Sequence, residues 1–502
     1  GVEMLARGGN AADAAIAANA AIAVTGPHLC GIGGDLLALV YDDGEVHALN
    51  ASGRAGSGAD PASLRAEGHA TMPFRLDIRS VTVPGCVDGW LTLHERFGSL
   101  PLPTLLAPAI GLANNGFTAS PLLLGALHRV GETGRESLHE LASQARSRSA
   151  RIRRPGVAAA LAGIAAGGRE TFYGGAFGEG LVALGDGLFT ANDLAQIQAD
   201  WQAPLATEAF GVTLHTTGPN SQGYLALGGA RLASRLELPA DPDNEYWAHL
   251  LIEAATAAGR DRPHQLHEHA DGGNLLDVID SRIDDINVER ESQRATPADA
   301  GDTTYLCAAG RSANGREMAV SLIQSNASGF GSHIVEPNTG TNLHNRGIGF
   351  NLQPGHAAEY GPRRRPPHTL LPMAATRYDG SLSGVFGTMG GDAQPQIMLQ
   401  LAARLLHHRQ TPARAIGAGR WALTGGLNGF NTWTSRSDPA VSIEGHAPAG
   451  WVPDLAHRGH RTATAPDWDS SFGHACVIVS DRNGMWAGSS DPRSIVGSCA
   501  GG

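Results

Sequence analysis

The sequence is poor in cysteine, in aromatic residues and in long apolar runs. The shortages of cysteine and of long apolar runs each argue against a class of protein. Five cysteines are scattered over 502 residues with no Cys-x-x-Cys pair, which argues against a disulfide framework and against a cysteine-based zinc site. No run of about 20 apolar residues occurs, so we expect neither a membrane span nor a membrane partner. The formal net charge of −11 argues against nucleic acid as the main partner.

Small residues are abundant instead. Aromatic residues make up 5% of the chain, whereas 42% is hydrophobic and 67 residues are glycine. This composition predicts a tightly packed protein of mixed helices and strands and not a disordered one. The scarcity of cysteine favours a reducing compartment, so we expect a cytoplasmic protein. The chain begins at Gly1-Val2-Glu3, inside a predicted helix, and a preceding signal peptide therefore stays open.

The stretch Gly301-Asp302-Thr303 suggests the chemistry. If the peptide bond between Asp302 and Thr303 is cut, Thr303 acquires a free α-amine with a pKa of about 7.7–8.0. The neutral amine accepts the proton of the same residue's hydroxyl, which activates an otherwise weak nucleophile. We therefore predict cleavage between Asp302 and Thr303, with Thr303 as the catalytic nucleophile.

The sequence on either side of this junction suits that role. Residues 289–302 are polar, contain a proline and a glycine, and are typical of an exposed linker. Residues 304–309 and 318–323 are predicted strands, joined by a turn that contains Asn-Gly. A nucleophile at the start of a buried strand is held more rigidly than one on a loop. The alternative is a turn and a strand with no catalytic role.

Two further stretches carry suitable chemistry. Arg54 follows a predicted strand at 46–50, and a guanidinium there suits a substrate carboxylate, which it binds in bidentate fashion. A surface arginine is the alternative. Gly390 and Gly391 separate a predicted strand at 382–386 from a helix that opens at Pro395. Two glycines before a helix leave N–H groups available to an anion, which predicts an oxyanion hole, although a plain turn fits the same pattern.

No cofactor and no metal ion are predicted. His264, His267 and His269 cluster around Glu268, but they lack the His-Glu-x-x-His spacing, and a solvated loop is the favoured interpretation. Residues 31–35 (Gly-Ile-Gly-Gly-Asp) superficially match a dinucleotide fingerprint. They follow a predicted helix and precede a predicted strand, which is the reverse of the order that a phosphate-binding loop requires.

Taken together, eight motifs resemble those of the γ-glutamyltranspeptidase family, which belongs to the N-terminal-nucleophile hydrolases. They span nearly the whole chain, at residues 8–14, 33–35, 84–90, 301–303, 330–332, 365–366, 389–392 and 490–493. Eight motifs in the family's order are far more specific than any one of them. The pattern at 345–350, with His368-Thr369, is similar to the transpeptidase-like and cephalosporin-acylase-like branch.

The resemblance implies an α/β (α+β) fold, a four-layer αββα sandwich formed by two subunits of one autocleaved precursor. The large, helix-rich subunit would comprise residues 1–302, and the small, strand-rich subunit would comprise residues 303–502 and begin with the nucleophile. The two would remain together as a heterodimer, and a dimer of such heterodimers is left open.

The resemblance also assigns roles to individual residues. Thr303 matches the nucleophile, and Gly390 and Gly391 match the oxyanion-hole pair. The substrate-side positions of the family fall on Ser325, Asn326, His368 and Thr369. A fifth such position corresponds to Arg54, with a displacement of about two residues.

One departure from the family pattern bears on the substrate. The acidic residue that holds the α-amino group of glutamate in the best-known members falls on Gly349. An ammonium without a carboxylate partner loses roughly 1.5–3 kcal/mol of charged hydrogen bonding. Arg346 lies close by in the sequence and suits an acid instead. We therefore expect a small-molecule substrate with a carboxylate, either an amide or a diketo acid.

Several functions remain open at this point. The leading one is a hydrolase or acyltransferase that cleaves an amide bond other than a γ-glutamyl bond through an acyl-Thr303 intermediate. The second is a carbon–carbon bond hydrolase of antibiotic biosynthesis, a reaction that the same nucleophile and oxyanion hole can serve. True γ-glutamyl transfer and a processed but inactive scaffold are the remaining alternatives.

Overall fold

The computed structural model describes residues 1–147, 149–292, 303–312, 314–424 and 440–501. Within these ranges the helices are α1 (Val2–Ala6), α2 (Ala11–Thr25), α3 (Pro61–Ala66), α4 (Cys86–Phe97), α5 (Leu102–Asn115), α6 (Pro121–Arg129), α7 (Glu132–Ser137), α8 (His139–Gln144), α9 (Pro155–Tyr173), α10 (Ala176–Gly185), α11 (Ala191–Ala195), α12 (Gly223–Ala233), α13 (Glu245–Gly259), α14 (Arg262–Gln265), α15 (Gly272–Asp280), α16 (Gln394–Ala402), α17 (Pro412–Gly417) and α18 (Trp451–His457).

The strands in the same ranges are β1 (Asp35–Asp42), β2 (Glu45–Ala51), β3 (Phe117–Thr118), β4 (Arg151–Ile152), β5 (Asp200–Gln202), β6 (Leu205–Ala209), β7 (Val212–Thr216), β8 (Thr304–Arg311), β9 (Glu317–Ser325), β10 (Val335–Glu336), β11 (Thr341–Asn342), β12 (Met373–Thr376), β13 (Leu382–Thr388), β14 (Trp421–Thr424), β15 (Ala440–Glu444), β16 (Thr462–Ala465), β17 (Ala475–Ser480) and β18 (Trp486–Ser490).

Two antiparallel sheets form the centre of the molecule. The first has the strand order β5-β2-β1-β9-β8, and the second has the order β18-β17-β13-β12-β7-β6. Each sheet contains strands from both sides of residue 303, since β1 pairs with β9 in the first sheet and β7 pairs with β12 in the second. The two halves of the chain are therefore interleaved by backbone hydrogen bonds.

The side chains of β1 explain why the sheets are covered on both faces. All eight residues of the strand are buried. Leu36, Ala38 and Val40 point into a core shared with helices, whereas Leu37 and Leu39 point toward the second sheet. A strand with both faces apolar requires a packed layer on each side, because successive side chains alternate between the faces.

Helices complete the outer layers. The first sheet shares a core with α2, α4, α5 and α9, and the second sheet shares a core with α12, α13 and α16. The arrangement is a four-layer αββα sandwich, as the family resemblance implied. None of the helices in the described ranges combines the length and the apolarity needed to cross a bilayer.

Ile323 tests the packing between the two sheets. Its side chain is fully buried in a small cluster with Leu37, Tyr305 and Leu370. We expect Ile323→Ala to destabilise the protein by about 2–5 kcal/mol, because the cavity lies where neither sheet can move inward freely. The midpoint of thermal unfolding, followed by circular dichroism, should fall clearly. Ile495→Ala is the matched control, since Ile495 is 65% exposed and its loss should change stability by less than about 0.5 kcal/mol.

Candidate active site

Thr303 immediately precedes β8 and lies buried at one end of the first sheet. Its hydroxyl donates a hydrogen bond to Ser325 Oγ at 3.1 Å. Ser325 is the last residue of β9, and its Oγ also accepts the backbone N–H of Ala327 at 2.7 Å. Residue 303 shares its face of the strand with Tyr305, which points toward the second sheet. The hydroxyl of Thr303 is therefore held at the inner face, between the sheets.

The second sheet brings a pair of glycines to the same end of the sandwich. A Cβ on Gly387 of β13 would lie 2.1 Å from the ring of Tyr305, so the two sheets touch there. Three residues later the chain turns through Gly390 and Gly391, whose φ angles of 139° and 55° favour glycine. Both are buried, and neither N–H donates a hydrogen bond within the described part of the chain. Two such N–H groups are suited to a developing oxyanion.

A buried carboxylate organises the residues next to Ser325. Asp35 begins β1 directly opposite Ser325. Its Oδ2 accepts a hydrogen bond from His368 Nε2 at 3.0 Å and lies 3.3 Å from His344 Nδ1, and its Oδ1 accepts the N–H of Gly53 at 3.0 Å. Burial alone would raise the pKa of Asp35, but the contacts with the two histidines hold that pKa well below its usual value.

The contact with Asp35 on its own would raise the pKa of His368, but other influences outweigh it. Burial, together with the positive charge of Arg346, lowers the pKa of His368 to about 3. The imidazole is therefore neutral at pH 7 and donates to Asp35 from Nε2, while its Nδ1 accepts the N–H of Leu370 at 3.2 Å. Both ring nitrogens are thus occupied within the protein.

Arg346 joins this cluster to the second sheet. Its guanidinium is buried, lies 3.6 Å from Asp35 and donates to Thr369 Oγ1 at 3.0 Å. Burial lowers the pKa of Arg346 to about 10, against the opposing influence of the nearby carboxylates. Gln222 then links Thr369 to the glycine pair, because its side-chain amide donates to the carbonyl oxygens of Thr369 at 2.9 Å and of Gly391 at 3.0 Å. One path, an ion pair followed by hydrogen bonds, therefore runs from Asp35 to the glycine turn.

Arg54 occupies a different position. Its guanidinium forms an ion pair with Asp200 at 3.1 Å and donates to the carbonyl oxygen of Ile197 at 3.3 Å. Arg365 binds the same carboxylate of Asp200 at 2.6 Å and donates to the carbonyl oxygen of Ser52 at 2.8 Å. The charge of Arg54 is thus engaged at the margin of the first sheet, and its role as a substrate clamp stays a prediction.

The structure brings most of the predicted residues together, with Arg54 set apart. Ser325 contacts Thr303, and Asn326 follows it, with its side-chain amide donating to the carbonyl oxygen of Pro27 at 3.2 Å. His368, Thr369 and Arg346 lie in one buried network with Asp35. Asp302, the predicted residue before the cut, lies outside the described residues.

Sequence reasoning missed four polar residues of this network, Asp35, His344, Gln222 and Arg262. Arg262 donates to Gln222 Oε1 at 2.9 Å and pairs with Asp392 at 3.0 Å. The one local signal was Asp35 itself, a carboxylate at the head of an otherwise apolar strand. The partners lie up to 333 residues away in the chain, so no spacing rule connects them.

Comparison with known proteins identifies the family. The family model described as gamma-glutamyltranspeptidase matches residues 1–500. The chain belongs to the γ-glutamyltranspeptidase family. The predicted fold and the predicted enzyme class, an N-terminal-nucleophile hydrolase or transferase, are thereby confirmed.

Individual relatives of this γ-glutamyltranspeptidase family member differ in their named activities. The oxamate amidohydrolase proenzyme of Klebsiella pneumoniae is 33% identical over 515 residues, covering 98% of this chain and 94% of that protein. The acylase ACY 1 proenzyme of Pseudomonas sp. strain V22 is 28% identical over 504 residues, covering 93% and 85%. The crystal structure of cephalosporin acylase from Bacillus halodurans superimposes with a TM-score of 0.86 at 31% identity, covering 98% of this chain and 91% of that one.

The neutral, buried His368 predicts a pH dependence of stability. In the unfolded chain a histidine has a pKa of about 6.5, whereas in the folded protein the pKa of His368 is lowered to about 3. Between these values only the unfolded state takes up the proton, so stability falls as the pH falls through this window. His368→Gln should reduce that slope by up to about 1.4 kcal/mol per pH unit.

Thermal unfolding at pH 7.0, above the window, and at pH 4.5, inside it, measures the effect. The midpoint of the wild-type protein should drop further than that of His368→Gln. His457→Gln, a substitution at an exposed histidine, is the control and should keep the wild-type drop. Equal drops in all three proteins would contradict the assignment of a neutral His368.

Proposed function

We propose that this chain is an autoprocessed amidohydrolase that cleaves a small, carboxylate-bearing amide through an acyl-Thr303 intermediate. The observation that carries the proposal is the buried Thr303 hydroxyl bound to Ser325, at the end of the sandwich that also holds Arg346 and the glycine pair. The proposal chooses amide hydrolysis over transfer and over the other reactions that the family pattern leaves open.

Maturation is the first step of the proposal. The Thr303 hydroxyl attacks the carbonyl carbon of Asp302, and the peptide bond becomes an ester as the C–N bond breaks and frees the α-amine of Thr303. Water then hydrolyses this ester to the carboxylate of Asp302 and the hydroxyl of Thr303. Residues 1–302 and 303–502 then form a large and a small subunit. The pairing of β1 with β9 along eight residues and of β7 with β12 supports a heterodimer that survives the cut.

In turnover the freed α-amine accepts the proton of the Thr303 hydroxyl, which attacks the substrate carbonyl. The N–H groups of Gly390 and Gly391 stabilise the oxyanion, and the loss of one such donor typically costs about 10²–10³ in rate. Collapse of the tetrahedral intermediate expels the amine or ammonia. Water, activated by the same α-amine, then hydrolyses the acyl ester and restores Thr303.

The substrate class is inferred from the charges at the site. Arg346 is a buried cation in the same network as Asp35 and Thr369, and it suits a carboxylate as its ligand. A Cβ on Gly349 would lie 2.3 Å from the carbonyl oxygen of Pro367, so an acidic side chain does not fit there. The site therefore favours a substrate with a carboxylate over one that needs a partner for an α-ammonium group.

The name of one relative supports the same class of substrate. The 33% identical protein from Klebsiella pneumoniae is named for oxamate, which is itself a small amide with an adjacent carboxylate. A first assay therefore compares oxamate, a glutaryl anilide and a γ-glutamyl anilide with the processed enzyme. Release of ammonia from oxamate or of aniline from the glutaryl anilide supports the proposal, whereas release of aniline from the γ-glutamyl anilide alone would overturn it.

Thr303→Ala should abolish both cleavage and activity. The substitution removes the only hydroxyl that the proposal uses, so intact mass spectrometry should find a single uncut chain and turnover should fall by at least about 10⁴-fold. Thr304→Val is the matched control, because it alters the neighbouring threonine, which points to the other face of the strand. This control should be cut and active, and a normally processed Thr303→Ala protein would overturn the assignment of the nucleophile.

Arg346→Gln should weaken the use of a substrate carboxylate. The loss of a charged hydrogen bond of roughly 1.5–3 kcal/mol corresponds to a fall in kcat/KM for oxamate of about 10- to 100-fold. Oxamide, in which an uncharged amide replaces the carboxylate, should lose less than about threefold. Steady-state ammonia release measures both.

Arg54→Gln, assayed beside it, separates the two arginines, and a fall for oxamate in this variant instead would assign the clamp to Arg54. Equal losses for oxamate and oxamide in Arg346→Gln would mean that Arg346 supports the fold and not the carboxylate.

A further inference from the structure

A second cluster of ligand-type side chains lies away from the catalytic network, beneath α13. His249 and Glu253 are one helical turn apart on this helix, and His460 follows α18. The three side chains are at most 3% exposed. They form a group of two imidazoles and one carboxylate in which one potential ligand atom from each lies within 4.8 Å of the others.

The contacts around His249 leave its unprotonated ring nitrogen, Nδ1, facing the other potential ligands. Its Nε2 lies 3.0 Å from the carbonyl oxygen of Asn287, which only accepts hydrogen bonds, so Nε2 carries the proton and Nδ1 carries a lone pair. That Nδ1 faces His460 Nε2 at 2.7 Å. An imidazole that donates from one nitrogen to a backbone carbonyl and presents the other is the usual arrangement of a metal-binding histidine.

The carboxylate of Glu253 is held in a similar way. Its Oε2 accepts the backbone N–H of Ser292 at 3.2 Å and also the hydroxyl of Ser292. A ligating carboxylate with its own hydrogen-bond donors is likewise typical of metal sites. The cluster therefore has both the ligand types and the surrounding contacts of such a site.

We propose that His249, Glu253 and His460 bind a divalent transition-metal ion, with Zn²⁺ as the best match. Two imidazoles and a carboxylate are ligands that Zn²⁺ accepts, whereas Ca²⁺ and Mg²⁺ prefer oxygen ligands throughout. Ligands about 2.0–2.1 Å from a tetrahedral Zn²⁺ lie about 3.3–3.5 Å apart. Binding thus requires the facing nitrogens of the two histidines to separate by roughly half an ångström and the carboxylate to approach.

The proton balance of this step is simple. In the absence of the ion His460 donates from Nε2 to His249 Nδ1. When the ion binds, the Nε2 proton of His460 leaves and its Nδ1 takes one up, so both imidazoles remain neutral and no net proton is released. Glu253 binds as the carboxylate.

The site would act on the segment that leads to the proposed cleavage junction. Asn287 binds His249 and Ser292 binds Glu253, and Ser292 lies ten positions before Asp302. An ion bound to His249 and Glu253 would help to hold Asn287 and Ser292 against α13. This role is independent of the acyl-enzyme chemistry.

Metal content of the purified, full-length protein tests the proposal. After dialysis against a chelator and incubation with Zn²⁺, followed by gel filtration, mass spectrometry of the metal should find about one Zn²⁺ per chain. Changes to residues that merely orient a ligand cost about 10- to 100-fold in metal affinity, so Glu253→Gln and His460→Asn should each weaken Zn²⁺ binding by at least about 100-fold. Co²⁺ in place of Zn²⁺ should give visible absorption bands of low-coordinate geometry, and these should be lost in both variants.

The control removes the exposed histidine cluster instead. His269 is 77% exposed and His267 lies beside it, so the double variant His267→Asn/His269→Asn should retain the ion while losing any adventitious surface binding. Far-UV circular dichroism establishes whether each variant is folded. If His460→Asn does not fold, Glu253→Gln still provides the test, because the glutamine side chain keeps an acceptor for Ser292. Wild-type Zn²⁺ content in a folded Glu253→Gln protein, or no bound Zn²⁺ in the wild type, would overturn the proposal and leave a hydrogen-bonded trio.

Discussion

The buried carboxylate of Asp35 is the charge on which the catalytic end of the molecule depends. Removing a carboxylate from water costs several kcal/mol unless donors and cations compensate. His368, Arg346 and the N–H of Gly53 supply that compensation. Of these partners only Arg346 is charged, and breaking a buried charge pair by removing one partner typically costs about 3–5 kcal/mol, whereas a hydrogen bond to a charged group contributes roughly 1.5–3 kcal/mol. Each of these segments is therefore tied to the first residue of β1 by a substantial free energy, and together they fix the surroundings of Thr303.

Strand register explains how Thr303, the proposed nucleophile, comes to lie at the same end of the sheet as this charge. Asp35 pairs with Ser325 across β1 and β9, and Thr304 pairs with Gln324 across β9 and β8. Thr303, Ser325 and Asp35 consequently line up across the end of three adjacent strands. A cut before β8 leaves every ladder of this sheet intact, because the broken bond precedes the strand. If the proposed cut occurs, the new N-terminus would lie at the end of the sheet that holds the Ser325 hydroxyl and the Asp35 carboxylate, without any change in the hydrogen bonding of the sheet.

Local patterns in the sequence were sufficient for the features that depend on neighbouring residues. The strand after Thr303 and the strand, turn and helix around Gly390 and Gly391 follow from residues within a few positions, and the structure contains them. The αββα architecture came from the family resemblance and is confirmed. The prediction of a helix-rich segment up to residue 302 does not include β6 and β7. These two strands are short and half-buried and join the second sheet.

Long-range pairing of polar residues was beyond sequence reasoning. Asp35 and His368 are 333 positions apart, and Gln222 and Gly391 are 169 positions apart. Nothing in the spacing of a single chain relates such residues, because their contact depends on how two sheets stack. The same limit applies to Arg54, whose placement beside Asp200 results from the pairing of β2 with β5. The position of Arg54 just after a strand predicts that its side chain lies near a cleft. It does not predict which carboxylate pairs with the guanidinium.

The charge balance around Arg346 bears on how an acidic substrate would be accommodated. In the structure Arg346 lies 3.6 Å from Asp35 and donates to Thr369. A substrate carboxylate that binds this guanidinium competes with Asp35 for the same cation. If such a substrate binds, Asp35 would retain two further partners, the N–H groups of His368 and Gly53. The additional negative charge also offsets the influence of Arg346 that depresses the pKa of His368. Asp35 would thus keep two hydrogen-bond donors while Arg346 is shared with a ligand.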